Sequence, residues 1–250
     1  MTILENIIFF TFLGSIASLI GGVVLLSREK FAIRISQYLT AFAAGTLLGT
    51  AFFDLLPEAL EEAKQINIFF WQLAGILFFF LLEQGVHWFH HHQHEHDEEL
   101  TKSALPLIIL GDSVHNFIDG IVIAATFMVS VPLGIITSLA VAAHEIPQEI
   151  GDFGIMLHAG VTRKRVLLIN IMSACTALVG ALLTYYLADV VKGIIAIFLS
   201  ITAGFFIYIA SSDLIPAIQN EQKRDVALIK TLLLFVGVGV VWVFVSLLGK

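Results

Sequence analysis

Five side chains that can bind a metal ion fall within nine residues of an otherwise apolar segment. They are His144, Glu145, Gln148, Glu149 and Asp152, with SLAVAA before them and FGIML after them. Charged groups inside a membrane face the protein interior or a water-filled cavity, where they pair with other polar groups. The segment is therefore not an ordinary lipid-facing helix, and its polar side chains require partners on a neighbouring helix.

A second polar group lies one helical hairpin upstream. It consists of Asp112, His115, Asn116 and Asp119. On a helix with about 100° per residue, their i, i+3, i+4, i+7 spacing places them on one face. In the downstream segment His144, Gln148 and Asp152 share a face in the same way, with two glutamates beside them. Two adjacent helices whose polar stripes face each other would enclose a site.

The acids of these two stripes would be costly in a membrane without a counter-charge. A central carboxylate costs roughly 2.5–3.5 kcal/mol on the translocon scale, so the five acids together would cost about 15 kcal/mol. The two segments contain no lysine or arginine that could neutralise them. We therefore expect a bound cation, with protons in its absence. A hydrogen-bonded polar core without a ligand is the alternative.

The composition indicates a polytopic membrane protein. The 250 residues are 58% hydrophobic and only 13% charged, whereas a soluble domain carries about a quarter charged residues. The net charge of −7 gives no reason to expect a nucleic-acid partner, and the single Cys175 excludes an internal disulfide. No basic residue precedes the first apolar run, which we interpret as a retained membrane span rather than a signal peptide.

Eight apolar stretches are long enough to cross a bilayer as helices. They fall near residues 5–27, 36–58, 68–89, 104–128, 132–157, 165–187, 193–217 and 227–248. A membrane-embedded backbone must satisfy its own hydrogen bonds, and the sequence lacks the alternating pattern of a barrel. The predicted fold is therefore an all-α membrane protein with eight transmembrane helices, forming a single polytopic domain over residues 1–250.

Basic residues in the short connections predict the orientation. With the N-terminus outside, ten of the 13 lysines and arginines lie on the inner side and three on the outer side. We therefore predict a multi-pass protein of the cell (inner) membrane with both termini outside the cytoplasm.

A short motif occurs twice. Asp54-Leu-Leu-Pro57 closes the second span, and Asp213-Leu-Ile-Pro216 lies in the seventh. These spans run in opposite directions in the predicted topology, so the motif suggests an inverted repeat that relates helices 1–3 to helices 6–8 around helices 4 and 5. Inverted repeats with a site near the bilayer midplane are a transporter architecture, although a motif this short can also recur by chance.

Six of the nine histidines lie at or near the connection between helices 3 and 4. Histidine-rich tracts bind transition metals loosely. We therefore predict a cytoplasmic metal-gathering or sensing loop at residues 90–103, with a merely solvated linker as the alternative.

Imidazole nitrogen combined with carboxylate oxygen, without thiolate, is a ligand set of Zn²⁺ and also of Fe²⁺, Mn²⁺, Co²⁺ and Cd²⁺. The candidate ligands form a ladder across the membrane rather than one cage. From outside to inside they are Asp54 and Glu58, then His115, Asp119, His144, Glu145, Gln148 and Glu149, and finally Asp112, Asp152 and Asp213. A helix cap or a water-facing helix end is the alternative for each outlying acid.

The two stripes resemble the paired signature of the Zrt/Irt-like (ZIP) metal transporters. The matching residues are His115-Asn116-x-x-Asp119-Gly120 and His144-Glu145-x-Pro147-x-Glu149-x-Gly151-Asp152. More narrowly, they are similar to the subfamily whose helix 5 reads His-Glu-x-Pro-His-Glu-x-Gly-Asp. The resemblance extends over the whole chain, including the eight spans, the histidine-rich tract and Ser-Ser-Asp-Leu-Ile-Pro in helix 7.

This resemblance implies transport of a divalent metal toward the cytoplasm through a binuclear site between helices 4 and 5. Carried over by motif position, one metal position is lined by His115, Asp119, His144 and Gln148. Asn116 and Glu145 supply the second position or a bridge, while Glu149 and Asp152 support the exit side.

The chain departs from the subfamily at two positions. Gln148 stands where His is usual, and Asp54 stands where His is frequent near the end of helix 2. A glutamine oxygen is a weaker, neutral ligand, so these differences bear on affinity and metal preference.

Zinc is the expected transported substrate, with Fe²⁺, Mn²⁺, Cd²⁺ and Co²⁺ as further candidates and no prosthetic group. The expected partners are divalent metal ions and the lipid bilayer, and a homodimer is compatible with the sequence.

A metal-sensing membrane receptor would use the same ligands. An intramembrane zinc protease is a weaker alternative, because Gln148 replaces the second His of its His-Glu-x-x-His motif and Pro147 lies between. We therefore predict that the protein is not an enzyme.

Overall fold

The computed structural model describes residues 1–63, 65–90, 97–158, 160–220 and 222–248. These residues form ten α-helices and two π-helical turns, and they contain no strand. In chain order the elements are α1 (Ile3–Thr50), a π-helical turn (Ala51–Leu55), α2 (Leu56–Glu62), α3 (Ile68–His90), α4 (Asp97–Val129), α5 (Val131–His158), α6 (Arg163–Tyr186), α7 (Ala188–Gly193), α8 (Ile195–Ile209), a second π-helical turn (Ala210–Leu214), α9 (Ile215–Gln219) and α10 (Arg224–Leu248). The all-α prediction is confirmed for this part of the chain.

Helix α1 contains the first predicted span and most of the second. Its start is capped by Thr2, whose hydroxyl accepts a hydrogen bond from the Glu5 amide while the Glu5 carboxylate accepts one from the Thr2 amide. At Arg28 the backbone leaves the helical conformation, with φ −144° and ψ 63°. The stretches on either side, Ile3–Arg28 and Ile33–Glu62, are each long and apolar enough to cross a membrane.

Every predicted span coincides with helical structure. Six helical stretches within the described ranges have the length and apolarity of a membrane span. The other two predicted spans correspond to α3 and α5. The described apolar part of α3, Ile68–Gln84, is shorter than a full span. Helix α5 carries the acidic stripe, which lowers its apolarity. These findings support an integral, multi-pass membrane protein.

Helix α4 begins at Asp97, earlier than the predicted span. The later part of the predicted histidine-rich loop therefore has a helical backbone. Residues 91–96, which hold four of its histidines, lie outside the described part of the chain, so a metal-gathering role for this tract stays a prediction.

The two helices with polar stripes are each held by an outer neighbour: α5 packs along α1, and α4 packs along α6. The α4–α6 contact brings backbone onto backbone. A methyl group added at Gly120 would overlap the carbonyl oxygen of Ala177, and one added at Gly180 would overlap that of Phe117. Small residues at such positions let helices approach closely, so α6 determines where α4 presents its polar face.

The other large helix contacts also involve glycines. In the pair of α1 and α10, Gly45 faces the carbonyl oxygen of Leu234, and Gly237 faces that of Phe42. In the pair of α3 and α8, Gly75 and Gly204 approach the partner backbone in the same way.

Each π-helical turn has an aspartate as its fourth residue and a proline three residues later. The sequence motif that occurs twice therefore has the same unusual backbone at both places. Single π-helical turns within α-helices are often found at functional sites.

Candidate metal-binding site

Four buried side chains from α4 and α5 bring one ligand atom each to a common point. They are His115, Asp119, His144 and Glu145. The Nε2 atoms of the two histidines are 3.1 Å apart. Glu145 Oε1 lies 3.3 Å from His115 Nε2, and Asp119 Oδ2 lies 3.4 Å from His144 Nε2. The facing polar stripes predicted from spacing thus meet in the fold.

The spacing of these atoms fits a tetrahedral metal ion. Zinc bonds of about 2.0–2.2 Å to nitrogen and oxygen place neighbouring ligand atoms roughly 3.3–3.6 Å apart. Five of the six separations among these atoms run from 3.1 to 3.7 Å, and all four atoms lie within 4.8 Å of one another. Asp119 Oδ2 and Glu145 Oε1 accept no hydrogen bond although both are buried. Such oxygens are costly without a compensating interaction, which a cation at the centre would supply.

The surroundings orient the two imidazoles toward the centre. His144 Nδ1 lies 3.2 Å from the carbonyl oxygen of Ala140. If Nδ1 donates its proton there, the Nε2 lone pair faces the cluster, which is the usual arrangement of a metal-ligating histidine. The ring of Phe79 packs edge-on against His115, with centroids 5.8 Å apart, and Phe206 contacts His144 at 6.4 Å.

Asn116 directly follows His115 and pairs with Asp112, which lies one helical turn earlier on α4. The Asn116 amide nitrogen donates to Asp112 Oδ1 at 2.9 Å and to the Asp112 carbonyl oxygen at 3.1 Å. Both residues are buried. The Asn116 amide nitrogen is therefore engaged with Asp112 rather than with the four-residue cluster.

Glu149 is fully buried, and neither of its carboxylate oxygens accepts a hydrogen bond. Its charge interacts with those of Asp112, Glu145 and Asp152. Gln148 and Asp152 are half-buried on the same helix. Glu145 lies with the two histidines and Asp119. Participation of Gln148 in metal binding stays a prediction.

Two of the outlying acids, Asp54 and Asp213, lie in the π-helical turns. Asp54 is half-buried, and its Oδ2 atom is buried without a hydrogen-bond partner. Its charge interacts with that of Glu58. The side chain of Asp213 lies outside what the structure describes. An outer entrance at Asp54 and an inner exit at Asp213 stay predictions.

Two polar groups near the cluster were missed in the sequence. On α6, Asn170 and Ser173 are buried, and the Ser173 hydroxyl lies beside Asp112 without meeting hydrogen-bond geometry. Between α3 and α8, the Tyr208 hydroxyl donates to Glu83. The available signals were an i, i+3 polar pair in the apolar α6 and a carboxylate within the apolar α3.

Comparison with known proteins shows that the chain is similar to zinc transporters. A model described as ZIP Zinc transporter matches residues 4–106 and 94–244. The chain is 32% identical to zinc transporter ZIP13 of Pongo abelii over 237 residues, covering 88% of this chain and 70% of that protein. It is 44% identical to zinc transporter ZIP4 of Rattus norvegicus over 118 residues, covering 47% of this chain and 18% of that protein.

The chain is also 40% identical to zinc transporter ZIP10 of Homo sapiens over 110 residues, which is 44% of this chain. The match covers 13% of the human protein. Apart from ZIP13, these relatives are therefore much longer than the segment they share with this chain.

Proposed function

The chain belongs to the ZIP zinc transporter family, and from this premise we propose that it carries divalent transition-metal ions across a membrane, with zinc as the main substrate. The observation that carries the proposal is the buried cluster of two histidines and two acids between α4 and α5. Its nitrogen and oxygen donors suit zinc and its neighbours in the transition series. A transported cation would also neutralise acids that are costly inside a membrane.

We further propose two metal positions. The first is the four-residue cluster. The second lies toward Asn116, with Glu145 as the bridge. In support, Glu145 contacts the histidines of the cluster through Oε1, and its charge also interacts with Glu149 and Asp152. Glu145 is thus positioned between the cluster and the acids farther along α5.

An inverted repeat of helices 1–3 and 6–8 around α4 and α5 is also part of the proposal. The two π-helical turns support it, because each occurs at the same place in the Asp-Leu-x-Pro motif. Gly45 and Gly204 lie nine residues before the aspartates of the two motifs. Each of these glycines faces a carbonyl oxygen of a neighbouring helix.

We propose that the metal moves toward the cytoplasm. A cavity of about 960 Å³ lies between α1 and α5, and its lining includes Gly151, Gly154 and Arg163. Arg163 belongs to a basic group that the positive-inside rule places at the cytoplasmic face. The cavity therefore supports release on that side. In the same proposed topology, both termini lie outside the cytoplasm.

Other functions are less well supported. The family is one of transporters, so the protein is not expected to be an enzyme, and the protease motif lacks its second histidine at Gln148. A metal-sensing receptor would bind zinc without moving it, and flux measurements separate the two. The narrower subfamily and a homodimer stay predictions.

Metal competition tests the proposed substrate class. In cells that express the chain, radiolabelled zinc uptake should saturate and should fall in the presence of excess Cd²⁺, Co²⁺, Fe²⁺ or Mn²⁺. Excess Mg²⁺ or Ca²⁺ should leave it unchanged, because these ions prefer all-oxygen sites. Cells carrying the empty vector provide the background. Competition by Mg²⁺ as strong as that by Cd²⁺ would contradict a site built on imidazoles.

Deletion of residues 90–96 tests the histidine-rich tract. Because the ligands of the central cluster lie elsewhere, we expect zinc uptake to continue, with a changed apparent affinity or a changed response to external zinc. A matched replacement of the same length by Gly and Ser separates the loss of histidines from the shortening of the connection. Complete loss of flux in a well-folded replacement variant would contradict the peripheral role.

A further inference from the structure

We propose that an anionic phospholipid of the cytoplasmic leaflet binds in the cavity between α1 and α5, with its phosphate at Arg163 and an acyl chain along the apolar part of the lining. The inference rests on the proposed function, because it adds a ligand to the cavity through which the metal is released.

The cavity lies where three membrane spans reach the same face of the bilayer. On α1 its lining includes residues 25–27, which end the first span, and Ile33, Ser36 and Gln37, which begin the second. Arg163 begins the span formed by α6. A volume of about 960 Å³ is enough for a large ligand. A ligand in this cavity would therefore lie at the level of the lipid headgroups.

Arg163 provides the positive charge of the described lining. Its Nη1 atom donates to the carbonyl oxygen of Leu26 at 3.0 Å, shortly before the backbone of α1 leaves the helical conformation at Arg28. This bond fixes the guanidinium and uses only one of its several N–H donors. No acid is among the described lining residues. The guanidinium is therefore suited to a phosphate, which it can bind through paired hydrogen bonds.

The two segments that meet at this contact are strongly basic. Residues 27–37 and 160–166 contain one acid, Glu29, and six basic residues, all of them exposed. The basic residues are Arg28, Lys30, Arg34, Arg163, Lys164 and Arg165. Basic groups next to membrane spans on the cytoplasmic side attract anionic lipids. Charge complementarity therefore favours an anionic headgroup over a zwitterionic one.

Much of the remaining lining is apolar. It includes Leu25, Ile33, Ile150 and Leu157. Beside the cavity, Phe31 is 51% exposed and Ile33 is 45% exposed, and both stand between basic residues in the sequence. Apolar side chains next to lysine and arginine are typical of segments that lie in a membrane interface. An acyl chain would cover these surfaces, whereas a soluble anion would leave them in water.

A lipid in this position also bears on release of the metal. In the proposed route the ion leaves through this cavity, where the guanidinium of Arg163 repels a divalent cation. The phosphate of a bound lipid would neutralise that charge and offer oxygen atoms to the leaving ion. Zinc release should therefore be faster in membranes that contain anionic lipid.

Lipid binding by the purified full chain tests the site without any measurement of transport. Native mass spectrometry, with phosphatidylglycerol or phosphatidylcholine of the same acyl chains added, reports which lipid stays bound. The wild-type chain should retain phosphatidylglycerol in preference to phosphatidylcholine. Arg163→Gln should lower the affinity for phosphatidylglycerol by about fivefold, the effect of one arginine near an anionic membrane surface.

Arg224→Gln is the matched control for this charge. Arg224 is also exposed and also begins a membrane span on the predicted inner side, but it does not line the cavity. This variant should keep the preference of the wild type. An equal loss of phosphatidylglycerol binding in Arg163→Gln and Arg224→Gln would reveal a general attraction to basic surface and would overturn the proposal.

Gly154→Leu tests the position of the acyl chain. Gly154 lines the cavity, and a methyl group added there would meet no atom within 4 Å, so a leucine would enter the space given to the lipid. Phosphatidylglycerol binding should fall severalfold. Gly239→Leu on α10, where an added methyl group also meets no atom within 4 Å, should bind as the wild type does. Wild-type binding by Gly154→Leu, or displacement of the lipid by equimolar glycerol phosphate, would overturn the proposal.

Zinc flux in liposomes tests the consequence for release. Flux through the wild-type chain and Arg224→Gln should be higher in phosphatidylcholine liposomes with added phosphatidylglycerol than in phosphatidylcholine alone, whereas Arg163→Gln should differ little between the two. An equal gain for Arg163→Gln would contradict the role in release. Because lipid binding is measured separately, a chain that binds phosphatidylglycerol through Arg163 but shows no flux in either liposome would refute the proposed function alone.

Discussion

Replacing Asp119 or Glu145 with alanine should abolish zinc uptake while leaving the amount of protein in the membrane unchanged. Each substitution removes one of the two carboxylates of the central cluster. The remaining histidines, whose Nε2 atoms are 3.1 Å apart, would then face a divalent cation with only one negative charge. Uptake of radiolabelled zinc, normalised to the membrane abundance of each variant, measures the effect.

Ser138→Ala is the control for this pair of variants. Ser138 is a buried polar residue of α5, but its hydroxyl donates to Gly134 within the same helix. Its loss should not reduce uptake. Wild-type uptake by both the Asp119→Ala and the Glu145→Ala variants would show that the metal does not pass through the cluster.

The second large effect concerns packing rather than ligands. Gly120→Ala should destabilise the protein strongly, because the added methyl group would overlap the Ala177 carbonyl oxygen and force α4 away from α6. Overpacking of this kind typically costs about 1–3 kcal/mol. The thermal unfolding midpoint of the purified protein and its yield should both fall.

Gly151→Ala separates this packing effect from the general effect of removing a glycine. A methyl group at Gly151 would meet no atom within 4 Å, so the unfolding midpoint should not fall. Equal stability of the Gly120→Ala variant and the wild type would show that α4 and α6 do not pack as described.

Much of the site could be predicted from spacing alone. The stripe of Asp112, His115, Asn116 and Asp119 requires only helical periodicity, and the need for a facing stripe follows from the cost of acids in a membrane. The convergence of His115 and Asp119 with His144 therefore required no knowledge of the fold. Family resemblance added the transported substrate and the direction.

The finer features depended on contacts that periodicity does not report. Gly120 and Gly151 each follow the polar residues of a motif, yet of these two only Gly120 meets the backbone of another helix. Glu145 stands with the two histidines and Asp119, although the family resemblance assigns it to a second position or a bridge. Asn170 was missed because a single amide in an apolar helix is usually a packing feature.

The backbone of the motif that occurs twice was equally hidden from the sequence. Asp54 and Asp213 mark the motif, but neither residue type nor spacing distinguishes a π-helical turn from an α-helical one. Since a π-helical turn redirects the helix that follows, these two places also affect where α2 and α9 lie.

Zinc flux into liposomes that contain only the purified protein tests the central claim most directly. The wild-type chain should show saturable zinc entry, and Glu145→Ala, incorporated to the same density, should show none above protein-free liposomes. Zinc binding by the wild-type chain without any flux would contradict a transporter and would instead favour a metal-sensing protein.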